Sequence, residues 1–355
     1  MAKSRKGERS WKWEKTNWLG EIEDEKNIGD INLPGTHDSA AFNAWTHTLY
    51  ACHKTSITGQ LEGGIRLLDV RIKVKDWRNS QSIETLRNSP ASGFVTCHGA
   101  IGIWMGVNEY QSLESLFGEV RDFLSAHPQE AVVMKLQIDD WSSYQGQKSK
   151  VKQGIRNLIT SCGLPCYNAG DTNGDNAPAD LPVLGQLRGK VFLLSNDGHA
   201  PGAPVSWSMP DDINQMVECP AAGGRNFPVL VQDIYKKLPV TGSCDKKLEL
   251  VTQAFGSKCA GDGRVLLNFA SATWYGVMGV YIQKELFAYL YQNRPSSLGW
   301  LFLDYESEPC ATVGGQEVSV VDAVIDSNFG YQKYGPGISS GNITLLAGKG
   351  AGGQG

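Results

Sequence analysis

No stretch of this 355-residue chain approaches the run of about 20 apolar residues that a membrane-spanning helix needs. The start offers no signal core either, because Trp11-Lys12-Trp13-Glu14-Lys15 breaks any apolar run. Two compartments stay open: cytoplasmic if Met1 is native, extracellular if a signal peptide was removed. Charge of one sign is also lacking, with 33 Lys and Arg against 37 Asp and Glu. A formal charge of -4, without a basic run interleaved with aromatics, argues against a nucleic-acid partner. The short basic start from Lys3 to Arg9 also carries Glu8 and reads as a solvated end. None of the eight cysteines shares zinc-ligand spacing with a histidine. Cys162 and Cys166 flank a Gly-Leu-Pro turn, and Cys219, Cys244 and Cys259 lie in the loop-rich third quarter, where disulfides would need an oxidising compartment. The polar loop Asn168 to Pro182 contains Asp171-Thr172-Asn173-Gly174-Asp175, but Asn176 stands where an EF-hand needs glycine and no glutamate closes it.

What is present is a chain able to bury a large core, 41% hydrophobic and 20% charged. Apolar, β-branched runs predict strands at Ile28 to Leu33, Ile65 to Ile72, Phe94 to His98, Ala131 to Gln137, Lys190 to Ser195, Val229 to Gln232, Arg264 to Phe269 and Trp300 to Asp304. Several are continuous rather than alternating, as strands buried on both faces are. Between them, Leu113, Leu116, Phe117, Val120, Phe123 and Leu124 repeat at helical spacing, as do Val151, Ile155, Leu158 and Ile159, then Leu248, Val251 and Phe255, then Leu286, Tyr289 and Leu290. Eight strands with helical crossovers and no linker predict an α/β fold, a single distorted TIM (β/α)8 barrel. The expected division is an N-terminal extension over 1–17, a barrel over 18–334 and a Gly/Ser-rich tail over 335–355. The tail carries the sequon Asn342-Ile343-Thr344.

In such a barrel, chemistry gathers at the C-terminal ends of the strands. The first predicted strand runs into Leu33-Pro34-Gly35-Thr36-His37-Asp38-Ser39; the second contains Asp69 and Arg71, which period-two alternation puts on one face. The third ends at His98, the sixth runs into Asp233-Ile234-Tyr235, and the eighth ends at Asp304. Each residue has a bland reading: His37 as a turn histidine, Asp38 as a helix cap, Asp69 and Arg71 as an interior ion pair. Together they form a set: two imidazoles for general base and general acid, a cation that does not titrate, and carboxylates to orient the rings. That set suits metal-free cleavage of a phosphodiester. His47, His53, His127 and His199 fall outside the pattern and are assigned to the surface.

The same residues resemble a known family. The turn at 33–39, the segment Gln60-Leu61-Glu62-Gly63-Gly64-Ile65-Arg66-Leu67-Leu68-Asp69-Val70-Arg71, then His98-Gly99, and Phe123-Leu124-Ser125-Ala126-His127-Pro128-Gln129-Glu130 are similar to the bacterial-type phosphatidylinositol-specific phospholipases C. The likeness is specific over residues 18 to 138 and placeable at Asp233-Ile234-Tyr235 and Leu303-Asp304. It implies a distorted TIM barrel that cleaves phosphatidylinositol to diacylglycerol and inositol 1,2-cyclic phosphate. By the resemblance, His37 is the base for the inositol 2-hydroxyl and His98 the acid for the leaving glycerol oxygen, supported by Asp38. Asp304 would orient His37, Arg71 would neutralise the phosphate, and Asp69 would orient His98 and the arginine. Asp233 and Tyr235 match positions that contact the inositol ring.

Calcium-dependent relatives carry an asparagine after the first histidine, an acidic residue at the arginine position and a glutamate closing the fourth strand. Here those positions are Asp38, Arg71 and Gln137, which implies no metal and no cofactor. The bacterial enzymes carry basic residues where this chain has Gln137 and Ser195-Asn196, so fewer cationic headgroup contacts are expected. The expected partner is a phospholipid surface, touched peripherally by a monomer through Trp104-Met105 and the aromatic stretch Trp274 to Tyr281. The alternatives are an inositol-lipid-binding barrel without turnover and a related phosphodiesterase with another headgroup.

Overall fold

The computed structural model describes residues 13–42, 51–74, 93–98, 109–139, 147–168, 180–196, 198, 200–208, 212, 214–220, 227–235, 238–239, 241–259, 261–271, 277–339 and 343–345. The expectations for His47, Trp104-Met105, the Asp171-centred loop, His199, residues 272–276 and Asn342 lie outside them. The main strands are β1 (Leu33–Thr36), β2 (Leu67–Val74), β3 (Phe94–Cys97), β4 (Glu109–Ser112), β5 (Val132–Ile138), β6 (Val191–Asn196), β7 (Ala203–Val205), β8 (Val217–Cys219), β9 (Val229–Gln232), β10 (Val265–Phe269) and β11 (Trp300–Leu303). Nine of them hydrogen-bond in the order β7-β6-β5-β2-β1-β11-β10-β9-β8. All neighbours on this path are parallel except β8, which runs antiparallel to β9. The sheet curls into a nearly closed TIM-like barrel, and no pairing joins β7 to β8 among the described residues.

Two predicted strands sit differently. Ile28–Asp30 forms a single 3-10 turn, because the Asn27 side chain accepts a hydrogen bond from Gly29 N and closes the chain on itself. The first barrel strand starts only at Leu33. The second difference is Phe94–Cys97, which is not a barrel stave: β2 extends past the wall, and its end Ile72 to Val74 pairs antiparallel with β3. The short β7 takes the vacant place in the parallel set.

Burial explains the continuous runs. Val132, Val133, Met134 and Leu136 of β5, and Val191 to Leu194 of β6, are at most 1% exposed because helices cover the outside and side chains fill the inside. The helix Leu113–Ala126 buries the predicted stripe and is capped by Ser112, whose hydroxyl accepts from Ser115 N at 3.1 Å. Each fully buried Leu or Phe on it contributes about 1.5–3 kcal/mol. Gly35 in β1 is required by close approach: a Cβ there would lie 2.6 Å from Leu67 Cδ2 on the neighbouring strand.

The packed unit reaches beyond the predicted barrel limits at both ends. Trp13 is fully buried against Phe329 and Tyr334, and Lys15 pairs with the buried Asp322 at 2.9 Å. A small antiparallel sheet joins β12 (Ala311–Val313) to β13 (Gln316–Val318) and to β14 (Ile343–Leu345).

Candidate active site

The turn after β1 places two adjacent side chains at the C-terminal mouth. His37 N donates to Leu303 O of β11, and Ser39 N donates to Asp69 O of β2, so the turn is fastened to both neighbouring strands. Asp38 adopts φ 45, a left-handed conformation that aspartate tolerates better than most side chains. His37 points Nδ1 at Asp304 Oδ1, 3.1 Å away, while Nε2 lies 3.3 Å from Arg71 Nη2 and 3.5 Å from Asp38 Oδ2. A guanidinium can only donate, so the tautomer consistent with this network carries its proton on Nδ1 and leaves Nε2 free to accept one. His98 Nε2 is 3.0 Å from Asp38 Oδ2, and the two imidazole centroids are 6.3 Å apart. Arg71 pairs through Nε with Asp38 and approaches Asp139 at 3.9 Å.

The electrostatics follow from this crowding. Burial opposes the charge on His37, yet the carboxylates of Asp38 and Asp304 outweigh it and hold the imidazole above its ordinary range. Burial also opposes ionisation of Asp38, and Arg71, His37 and His98 together pull its carboxyl far below the usual range. Arg71 is pushed still higher against burial by Asp38 and Asp139, so its charge is fixed. Asp139 and Asp233 are raised chiefly by burial.

Of the predicted site residues, His37, Asp38, Arg71, His98 and Asp304 therefore form one connected cluster. Asp69 is pointed elsewhere: it lies opposite Lys135 in the β2–β5 register, and Lys135 Nζ donates to Asp69 Oδ1 at 2.6 Å. The carboxylate facing His98 is Asp38 instead. Gln137 accepts from Lys135 Nζ at 3.1 Å and from Asn196 Nδ2 at 2.9 Å, and donates to Asp139 Oδ1 at 2.9 Å. Ser195 does not join them; its hydroxyl is fully buried, donating to Ala200 O and accepting from Ala200 N. Asp233 accepts from Trp207 Nε1 at 3.0 Å, with Tyr235 half-buried two residues on. Trp207 packs against Phe269, and Phe269 against His37, so an aromatic wall joins the Asp233 side to the histidines.

Several of these groups are not singled out by the sequence pattern. Lys135 had a signal, since a lysine inside Val132 to Ile138 on the same face as Gln137 must meet an interior carboxylate. Asp139 and Trp207 had none, because each is placed by a loop following a strand. His53, expected at the surface, is instead 1% exposed and bonded to Glu306. Among the described residues, one grouping could approach a metal ion: His37, Asp38 and Cys52, with ligand atoms within 4.8 Å. Its chemistry is a poor fit. The Cys52 thiol is held protonated, far above its ordinary range, by burial and then by Asp304 and Asp38, and the Arg71 cation adjoins both other ligands.

No family model matches the chain. Among curated proteins, a 1-phosphatidylinositol phosphodiesterase of Staphylococcus aureus (strain Newman) is 25% identical over 338 residues, covering 88% of this chain and 94% of that protein. The protein of the same name from Listeria monocytogenes is 27% identical over 261 residues, covering 72% of this chain and 68% of that protein. Among solved structures, a phosphatidylinositol-specific phospholipase C from Staphylococcus aureus superposes with a TM-score of 0.67 at 22% identity, covering 88% of this chain and 97% of that one. The Listeria monocytogenes enzyme gives 0.60 at 20% identity, covering 89% and 99%. The chain resembles the bacterial phosphatidylinositol-specific phospholipases C across nearly its whole length, as its motifs imply, and shares their fold.

Proposed function

We propose that this relative of the bacterial phosphatidylinositol-specific phospholipases C cleaves phosphatidylinositol, or a closely related inositol phospholipid, as a diacylglycerol-lyase. The observation that carries the reading is the cluster in which His37, His98 and Arg71 all meet the single carboxylate of Asp38. His37, aligned by Asp304, removes the proton from the inositol 2-hydroxyl through Nε2. The alkoxide attacks phosphorus, while the Arg71 guanidinium neutralises the charge growing on the phosphoryl oxygens. His98, held by Asp38, protonates the departing glycerol oxygen. The products are diacylglycerol and inositol 1,2-cyclic phosphate. Arg71 occupies the position where a divalent ion would otherwise supply charge, so the reaction runs without metal.

Asp233, Tyr235 and Gln137 form the headgroup side, with Asn196 in place of Ser195. Asp69 acts through Lys135, setting the floor beneath Gln137. Residues 18–334 function as one catalytic barrel, with Trp13 packed on Phe329 and Tyr334 before it and Ile343–Leu345 paired with β12 after it. The protein acts as a peripheral monomer. Tyr281, 44% exposed on the helix Val277–Asn293 that follows β10, supplies an aromatic contact to lipid on the side of the mouth. Among the described residues no helix is long and apolar enough to cross a membrane.

The test is to incubate chelator-treated protein with vesicles of phosphatidylinositol or non-inositol phospholipids and follow phosphorus NMR. A five-membered cyclic phosphate from phosphatidylinositol alone is the expected result. His37→Ala should lower its rate by about 10^4-fold. Activity only after adding a divalent cation, or equal cleavage of phosphatidylcholine, refutes the reading.

A further inference from the structure

His53 engages both ring nitrogens while almost fully buried. Nε2 lies 2.6 Å from the backbone oxygen of His37, and Nδ1 lies 2.7 Å from Glu306 Oε2. A carbonyl only accepts, so Nε2 carries a proton. The other Glu306 oxygen accepts from Thr55 Oγ1 at 2.5 Å, and against burial His53 holds the Glu306 carboxyl below its ordinary range, so Nδ1 and Glu306 share a proton in a second short bond. Both ring nitrogens are thus committed, one to the His37 backbone and one to Glu306. Glu306 bonds the ring from the end of β11, where the charge of Asp304 also acts on it, and the His37 carbonyl faces it from the turn after β1; on the ring's own segment the Cys52 thiol bonds Asp304. Burial opposes the charge on His53, but Glu306 and then Asp304 outweigh it.

A buried ion pair is weak evidence for stability, because desolvation offsets much of its attraction. Its placement argues for a geometric role. The same segment is fastened to the β11 end twice more, by Tyr305 N to Cys52 O at 2.7 Å and by Tyr305 Oη to Ala51 O at 2.6 Å. Tyr305 itself is held at φ 51, a conformation costly for an aromatic residue, between Asp304 and Glu306.

We propose that His53 and Glu306 are positioning residues: the His53 ring grips the His37 backbone while Glu306 grips the ring from the strand end that carries Asp304, which aligns the His37 and Asp304 side chains. The catalytic part of this inference rests on His37 acting as the general base; the alignment itself does not.

The experiment reads alignment in the free protein. The proton shared between His37 Nδ1 and Asp304 should give a downfield proton NMR resonance, assigned by its loss in Asp304→Ala. Two variants separate the two bonds of His53. His53→Gln keeps a donor near the Nε2 position, so it retains the grip on the His37 carbonyl; His53→Asn keeps a donor near Nδ1 and releases that carbonyl. The expected outcome is that His53→Asn loses or broadens the resonance and lowers kcat about 10–100-fold with KM nearly unchanged, while His53→Gln retains most of both. A folded His53→Asn with the wild-type resonance and kcat, or equal losses in both variants, overturns the proposal. Should His53→Asn not fold, Thr55→Val withdraws one bond from Glu306 at a half-buried position; partial broadening supports the proposal and an unchanged spectrum overturns it. If the resonances behave as expected but wild type cleaves no inositol lipid, the proposed function fails and the positioning pair stands.

Discussion

Arg66 and Arg71 leave the same stretch of chain, one just before β2 and the other within it, and they do opposite things. The Arg66 side chain is wholly buried and every donor has a protein acceptor. Nε pairs with Glu130 at 2.6 Å, Nη1 donates to Leu61 O and Ile65 O, and Nη2 donates to Lys15 O and Thr16 O. Glu130 in turn accepts from Gly20 N at 3.0 Å. Nothing is left for a ligand. Arg71, 24% exposed, meets Asp38, His37 and Asp139 and opens toward the mouth. A charge whose donors are saturated holds the closed end of the barrel together. A charge balanced among ionisable partners at the open end can turn to a phosphate.

Matched substitutions should separate the two roles. The largest effect on stability belongs to Arg66→Met, which strands the buried Glu130 carboxylate and should cost about 3–5 kcal/mol in denaturant titrations, with kcat of the folded fraction unchanged. Arg71→Met should lower kcat by about 10^2–10^3-fold with a smaller loss of stability, because His37 and His98 still face Asp38. Equal losses of stability in the two variants, or a folded Arg66→Met without activity, would break the distinction.

Asp304→Asn probes the open end through pH. The base must be neutral to act, and Asp304 helps hold His37 above its ordinary range, so activity should rise as pH climbs through that elevated value. With Asp304→Asn the acid limb of the kcat/KM profile should move to lower pH, together with a reduced plateau. An unmoved limb would assign it to another group. The smallest effect is expected between the two ends, at Gly35. Gly35→Ala drives a methyl into Leu67 and should cost about 1–3 kcal/mol, read as a lower midpoint in urea with the shape of the pH profile retained.

Much of this was legible without coordinates. Barrel class follows from continuous apolar runs alternating with helical stripes, and β5 and β6 fall within a residue or two of the predicted runs. The set His37, Arg71, His98 and Asp304 was legible because barrel geometry sends strand ends to one mouth. Phe94–Cys97 misled because an antiparallel ribbon and a barrel stave of four residues carry the same local pattern. Ser195 stands where the resembling enzymes carry a basic residue, but a short hydroxyl at a strand end can close its own turn instead of facing the mouth, as it does here with Ala200.

Residue types at the mouth, and the period that brings them there, are written into the chain, since strand alternation and burial are local consequences of side-chain chemistry. What each charge faces depends on how distant segments pack. Asp69 meets Lys135, 66 positions along the chain, through the register of two strands, and His53 meets Glu306, 253 positions away. Arg66 and Arg71 are the same residue type in one segment; packing saturates the first and leaves the second at the mouth, because a hydrogen-bond partner is a property of position in space.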